Sequence, residues 1–176
     1  MKVHVVPTDS AWAEAYAAEA QRLRSVLNDL DVDLHHIGST SIRGIYAKPI
    51  IDILLVVRNL EALDSRSDAV CALGYEAKGE FGIPARRYFR KNSSAGVRTH
   101  QVHAFERNSH GAERHLAFRD YMNAHAQAAG AYSTLKQRLA RQFPHDIQAY
   151  MSGKDAFIKQ HEALALAWLS SKQHGA

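Results

Sequence analysis

A single cysteine in 176 residues rules out an internal disulfide, and the apolar setting Ala69-Val70-Cys71-Ala72-Leu73 makes Cys71 a small packing hydrophobe. Such a chain fits a reducing cytoplasm, the expected location. No apolar run approaches the roughly 20 residues that cross a bilayer as a helix, so no membrane partner is expected. The start, Met1-Lys2-Val3-His4-Val5-Val6-Pro7, is too short an apolar stretch for a signal peptide, and an unprocessed soluble protein is expected. Charge of one sign is scarce as well: 22 Lys and Arg against 18 Asp and Glu leave +4, which permits nucleotides or RNA without demanding them. Repeats, low-complexity tracts and linkers are absent. What remains, 46% hydrophobic and 23% charged, is the make-up of one globular domain over 1–176, with a core over about 1–108 and carboxy-terminal helices over about 109–176.

Periodicity supplies the elements. From Asp9, the residues Trp12, Tyr16, Ala20, Leu23, Leu27 and Leu30 recur at three- and four-residue steps, the stripe of an amphipathic helix. Val32 to Ile37 reads as a strand, and Thr40 to Ala47 has room for one or two helical turns before Pro49 bars more. Ile50 to Val57 is apolar except for Asp52, the pattern of a central strand covered on both faces. Leu60 to Leu73 reads as one helix ended by Gly74, and Tyr75 to Lys78 as a short strand. Arg87 to Lys91 and Val97 to Phe105 form a hairpin around Asn92-Ser93-Ser94-Ala95-Gly96. The remainder is helical, near 111–123, 126–142 and 152–171.

The chemistry concentrates in His36-Ile37-Gly38-Ser39-Thr40-Ser41, followed by Lys48-Pro49-Ile50-Ile51-Asp52. Gly38 lets backbone approach an anion, Ser39, Thr40 and Ser41 offer hydroxyl and amide donors, and a short helix there would aim its positive end at phosphate. Asp52 supplies the hard oxygen that a magnesium or manganese ion shared with phosphates requires. Each residue also has a plainer reading. Gly38 and Ser39 make a turn with a cap, Lys48 either touches phosphate or neutralises Asp52, and Asp52 pairs with Lys48 or Arg87.

This stretch, His36 through Ile53, resembles the GrpB family signature, and the resemblance extends to Phe118-Arg119-Asp120-Tyr121-Met122 and to Tyr132-Ser133-Thr134-Leu135-Lys136-Gln137-Arg138-Leu139-Ala140. It covers almost the whole chain. Membership implies an α+β nucleotidyltransferase fold, a mixed sheet with flanking helices and a helical carboxy-terminal half, and a predicted nucleotidyltransferase without an assigned substrate; related domains occur fused to dephospho-CoA kinase. The general nucleotidyltransferase pattern places a second carboxylate two residues after the first, on the same strand face, where this chain has Leu54. Arg43 stands where the family commonly has proline.

Two further segments match the family. Arg86-Arg87-Tyr88 nominates Arg87 as a phosphate-balancing guanidinium, against its reading as a basic strand edge. Thr99-His100-Gln101-Val102-His103 nominates His103, on a strand beside Asp52, as a metal ligand or general base. A serine hydrolase using Ser39 or Ser41 with His103 lacks the Gly-x-Ser-x-Gly elbow. Lys136, Arg138 and Arg141 read as a solvated helix face with RNA guidance as the lesser option, and His161 as core packing.

The sequence thus leads to metal-dependent binding of a nucleoside triphosphate and nucleotidyl transfer to an acceptor it does not identify. Gly38, Ser39, Thr40, Lys48 and Arg87 would bind phosphate, and Asp52 and His103 would hold metal or act in catalysis. The alternative is a non-catalytic module for a nucleotide, a coenzyme A precursor or RNA.

Overall fold

The computed structural model describes residues 2–175. A five-stranded mixed sheet forms from β1 (Val32–Ile37), β2 (Ile51–Val57), β3 (Tyr75–Ala77), β4 (Arg87–Asn92) and β5 (Arg98–Glu106), in the order β1-β2-β5-β4-β3. Among the described residues only β2 and β5 pair in parallel, with Asp52 opposite Gln101 and Leu54 opposite His103. This is the mixed α+β architecture the sequence led us to expect. The apolar β2 is an interior strand, between β1 and β5, with both faces covered, and a polar strand there would leave unsatisfied groups in hydrocarbon.

The two sheet faces bury different cores. Ile53, Leu55, Val102, Ala104 and Phe89 pack beneath α1 (Ala11–Val26), which contributes Trp12, Ala20 and Leu23. Leu54, Val56, Ile37 and Phe105 point to the other face, beneath Ala112 of α4 (His110–Ala124). Two long helices, α5 (Ala126–Gln142) and α6 (Ile147–His174), complete that side, where Tyr132, Phe157 and Met122 meet Ile42 and Ile45 from the loop between β1 and β2.

Three sequence expectations shift in the structure. The helix expected over Leu60 to Leu73 breaks into α2 (Leu60–Asp64) and α3 (Ser67–Cys71). The break falls where the Ser65 hydroxyl donates back to the Ala62 carbonyl and Arg66 turns its guanidinium to Asp29. The helical turns expected over Thr40 to Ala47 reduce to one 3-10 turn, Ser39–Ser41, too short to present a helix end to an anion. The last helix starts earlier than expected, because the Asp146 carboxylate accepts from the Ala149 N–H at 3.0 Å and caps it.

Candidate functional site

Asp52 sits near the start of β2, opposite Ile37, so the residue that follows β1 comes up against its carboxylate. That residue is Gly38. Its φ of 71° is left-handed, and a Cβ there would lie 2.5 Å from Asp52 Oδ2. Only glycine meets both conditions, which is why the backbone approaches the carboxylate so closely.

The hydroxyls beside Gly38 divide their work. Thr40 is buried and donates to the Ile50 carbonyl at 3.3 Å, while His36 Nε2 lies 2.9 Å from the same hydroxyl. Since Thr40 spends its proton on Ile50, His36 donates to it, and Thr40 is occupied in holding the loop. His36 stacks on Tyr16 of α1 at 4.9 Å, and burial pushes its pKa down to about 4. Ser41 donates to the Gly38 carbonyl at 2.6 Å. Ser39 faces a cavity instead, its Oγ 3.5 Å from the Tyr132 hydroxyl of α5.

That cavity, of ≈ 140 Å³, is lined by Ser39, Lys48, Asp52, Gln101, Lys136 and Lys154 among others. Three lysines there face one carboxylate. Lys136 of α5 is 1% exposed and its ammonium has no hydrogen-bond partner, while its Nζ lies 4.5 Å from the Tyr132 ring centroid. Burial, helped by repulsion from Lys154, lowers its pKa to about 7. Lys154 of α6 lies 4.7 Å above Tyr150, and burial, then repulsion from Lys48, lowers its pKa to about 8 despite the opposing pull of Asp52. Lys48 is also lowered by burial, with Asp52 acting against the shift.

His103 Nε2 lies 3.1 Å from Asp52 Oδ1, and His103 Nδ1 lies 3.5 Å from Arg86 Nη1. A guanidinium can only donate, so Nδ1 accepts and the Nε2 proton is directed at Asp52. Both ring nitrogens are thereby engaged. The geometry makes His103 an orienting partner of Asp52 rather than a donor aimed at the cavity. Among the described residues no group of three His, Cys, Asp or Glu side chains is arranged to hold a metal ion.

The sequence candidates therefore separate. Asp52, Gly38, Ser39 and Lys48 come together at the cavity, and His103 joins through Asp52. Thr40 serves the loop. Arg87 is not brought to the site: it pairs with Ala104, which packs toward α1, so strand alternation sends its side chain to the opposite face. There it holds Asp64 through two bonds of 2.7 and 2.8 Å, which raise its pKa. Arg86, one residue earlier, is the guanidinium that reaches His103.

Sequence reasoning missed Lys136 and Lys154. Arg138 and Arg141 are exposed as a solvated face requires, but Lys136 turns inward. One signal was available: Tyr132 precedes Lys136 by four, and Tyr150 precedes Lys154 by four, so both helices place an aromatic ring under an ammonium.

Comparison with known proteins agrees with this architecture. A family model described as "GrpB protein" matches residues 2–163. The chain is 43% identical over 173 residues to "UPF0157 protein YqkA" of Bacillus subtilis strain 168, covering 98% of this chain but 50% of the relative, so it spans half that protein's length. The crystal structure of conserved protein GrpB from Enterococcus faecalis superposes with a TM-score of 0.89 at 42% identity, covering 94% of this chain and 99% of that one. Cid1 poly(U) polymerase with Mg 3'-dATP bound gives a TM-score of 0.56 at 14% identity over 85% of this chain and 49% of its own, a likeness of fold alone. Among the described residues no helix is long and apolar enough to cross a membrane.

Proposed function

Because the chain belongs to the GrpB family and its structural neighbours have the nucleotidyltransferase fold, we propose that it binds a nucleoside triphosphate with a divalent cation and transfers the nucleotidyl group to an acceptor. One observation carries this reading: Lys48, Lys136 and Lys154 share a cavity with Asp52, and the Lys136 ammonium is buried there with no partner. An unpaired buried cation costs free energy until an anion satisfies it. With three cations against one carboxylate, the complement is a ligand carrying several negative charges, such as a polyphosphate.

The donor set fits one magnesium or manganese ion and not two. Asp52 Oδ2, beside Gly38, is the hard oxygen not engaged by His103, and magnesium is commonly held by one or two carboxylates together with substrate phosphates. Leu54, fully buried in the α4-side core, fills the second acid's position with hydrocarbon. When bound, such a cation would neutralise charge on the phosphate oxygens. The chain's own residues do the positioning. Lysines and Ser39 hold the phosphates, Gly38 admits the Asp52 carboxylate close to the backbone, and His103 fixes that carboxylate. In the transfer, an acceptor oxygen forms a bond to the α-phosphorus, the bond to pyrophosphate breaks, and the acceptor's proton passes to solvent.

A second reading, a non-catalytic module for a nucleotide, a coenzyme A precursor or RNA, is favoured by Leu54. Calorimetric titration of ATP, GTP, CTP and UTP into wild type and Asp52→Asn, each with manganese and with chelator, separates the two. Binding that tightens with metal only when Asp52 is present supports transfer. Equal binding with chelator supports the module, and no binding by any nucleotide defeats the transfer reading and the nucleotide form of the module.

A further inference from the structure

The loop before β4 presents an aromatic ring that the phosphate site does not use. Residues 79–85 contain four left-handed positions, of which two, Phe81 at φ 47° and Ala85 at φ 61°, are not glycine. Non-glycine residues hold that conformation only where their surroundings impose it. Here the surroundings are specific. Glu80 Oε1 accepts from the Ala85 N–H at 2.8 Å, and the buried Arg86 donates to the carbonyls of Phe81 at 2.9 Å and Glu80 at 3.2 Å. Arg86 Nη1 also reaches His103, so one side chain ties the loop backbone to the partner of Asp52.

The outcome is an exposed aromatic ledge joined to the site. Phe81 is 54% exposed although it is a large apolar side chain. Its ring stacks on Tyr88 at 5.2 Å between centroids and 18° between planes, and Tyr88 in turn lies 5.4 Å from His103. Cations flank the row, with the Arg86 guanidinium 4.9 Å from the Tyr88 centroid and Lys78 Nζ 5.6 Å from that of Phe81. None of Phe81, Arg86 and Tyr88 lines the lysine cavity, so the ledge is a separate surface reached from Asp52 through His103.

We propose that Phe81, backed by Tyr88, is the stacking platform for a nucleobase of the acceptor, a nucleotide or a short RNA end, whose reactive oxygen is thereby brought toward Asp52. The inference rests on the nucleotidyl-transfer reading, since it assigns the second substrate of that same site. A nucleobase suits the ledge because it offers a flat π-face to an exposed ring, and such stacking tolerates any base. Lysines in the cavity would hold the donor's phosphates, leaving the ledge for the acceptor.

The test uses AMP, GMP, CMP and UMP as acceptor probes and inorganic triphosphate as the probe of the lysine cavity, with wild type, Phe81→Ala and Phe81→Trp. Phe81 is exposed, so both variants are expected to fold, which circular dichroism checks. Phe81→Ala should weaken mononucleotide binding on the order of tenfold or more, while inorganic triphosphate binds as before. Phe81→Trp should retain mononucleotide affinity, with its indole emission quenched by stacking, and saturation-transfer NMR on wild type should mark base protons above ribose protons. Unchanged mononucleotide affinity in Phe81→Ala overturns the proposal, as does a Phe81→Trp emission insensitive to AMP or a wild type that binds no mononucleotide at millimolar concentration. If inorganic triphosphate fails to bind while AMP still quenches Phe81→Trp, the phosphate cavity is refuted and the ledge stands.

Discussion

Replacing Lys136 by methionine should make the protein more stable and worse at binding phosphate. The ammonium is 1% exposed and unpartnered, and its pKa falls from the ordinary 10.5 to about 7. Because the folded-state value lies below the unfolded one, the unfolded chain holds more protons between those two pH values, and wild-type stability rises as pH climbs through that window. At or below pH 7 the full gap applies, and at 1.36 kcal/mol per unit it amounts to ~4–5 kcal/mol of penalty; by pH 9 it has shrunk to ~2 kcal/mol. Methionine keeps the length and the contact with Tyr132 but forfeits a cation–π attraction of ~1–2 kcal/mol. The net gain at pH 7 is then ~2–4 kcal/mol, or about 4–16 °C in melting temperature for a chain of this size. Urea and thermal melts at pH 7 and pH 9 check it, with the gain expected to shrink at the higher pH. Inorganic triphosphate affinity, read by calorimetry, should drop by about tenfold or more because a charge-assisted contact is lost. A variant less stable than wild type by the same amount at both pH values would refute the claim that Lys136 is an uncompensated cation awaiting an anion.

Gly38→Ala places a methyl group 2.5 Å from Asp52 Oδ2 at a left-handed φ, and a loss of ~2–4 kcal/mol in chemical denaturation is expected together with weakened nucleotide binding. Arg87→Ala removes a surface pair with Asp64 on the far side of the sheet; melts should show a change of at most ~1 kcal/mol, and nucleotide titration no change. Acid should weaken the fold through His36, whose folded pKa of about 4 lies below its ordinary 6.5, so stability present above that value is lost as pH falls toward 4. Between pH 7 and pH 5 this is worth ~2 kcal/mol in urea melts, and His36→Gln should flatten the slope.

Much of this protein is legible in its residues. The run from Ile50 to Val57 announces a central strand because only a doubly covered strand tolerates unbroken hydrocarbon, and a lone carboxylate in such a run points to a site. Gly38 is equally readable, since a glycine followed by three hydroxyls before that strand suits a close approach. Arg87 misleads because alternation fixes only which neighbours share a face, not which face looks at Asp52; that depends on pairing with Ala104, far along the chain. Lys136 misleads for a related reason. On a helix with Arg138 and Arg141 it looks like one more solvated cation, and only the packing of α5 against the Gly38 loop turns it inward. The break between α2 and α3 escapes periodicity because it is made by side-chain hydrogen bonds of Ser65 and Arg66, and the apolar spacing continues through it.

The parallel pairing of β2 with β5 fixes when the site can exist. Parallel neighbours cannot be joined by a tight turn, and here the contact between Asp52 and His103 spans 51 positions, while that between Ser39 and Tyr132 spans 93. A chain emerging from the ribosome amino terminus first carries Gly38, Lys48 and Asp52 long before α5 and α6 deliver Lys136 and Lys154. Until then the carboxylate has no cavity, and long-range closure of this kind is the slow part of folding. A polyanion would therefore be invisible to the nascent chain and would act on the finished one as a clasp between its earliest and latest segments, raising resistance to unfolding by mass action wherever it is abundant.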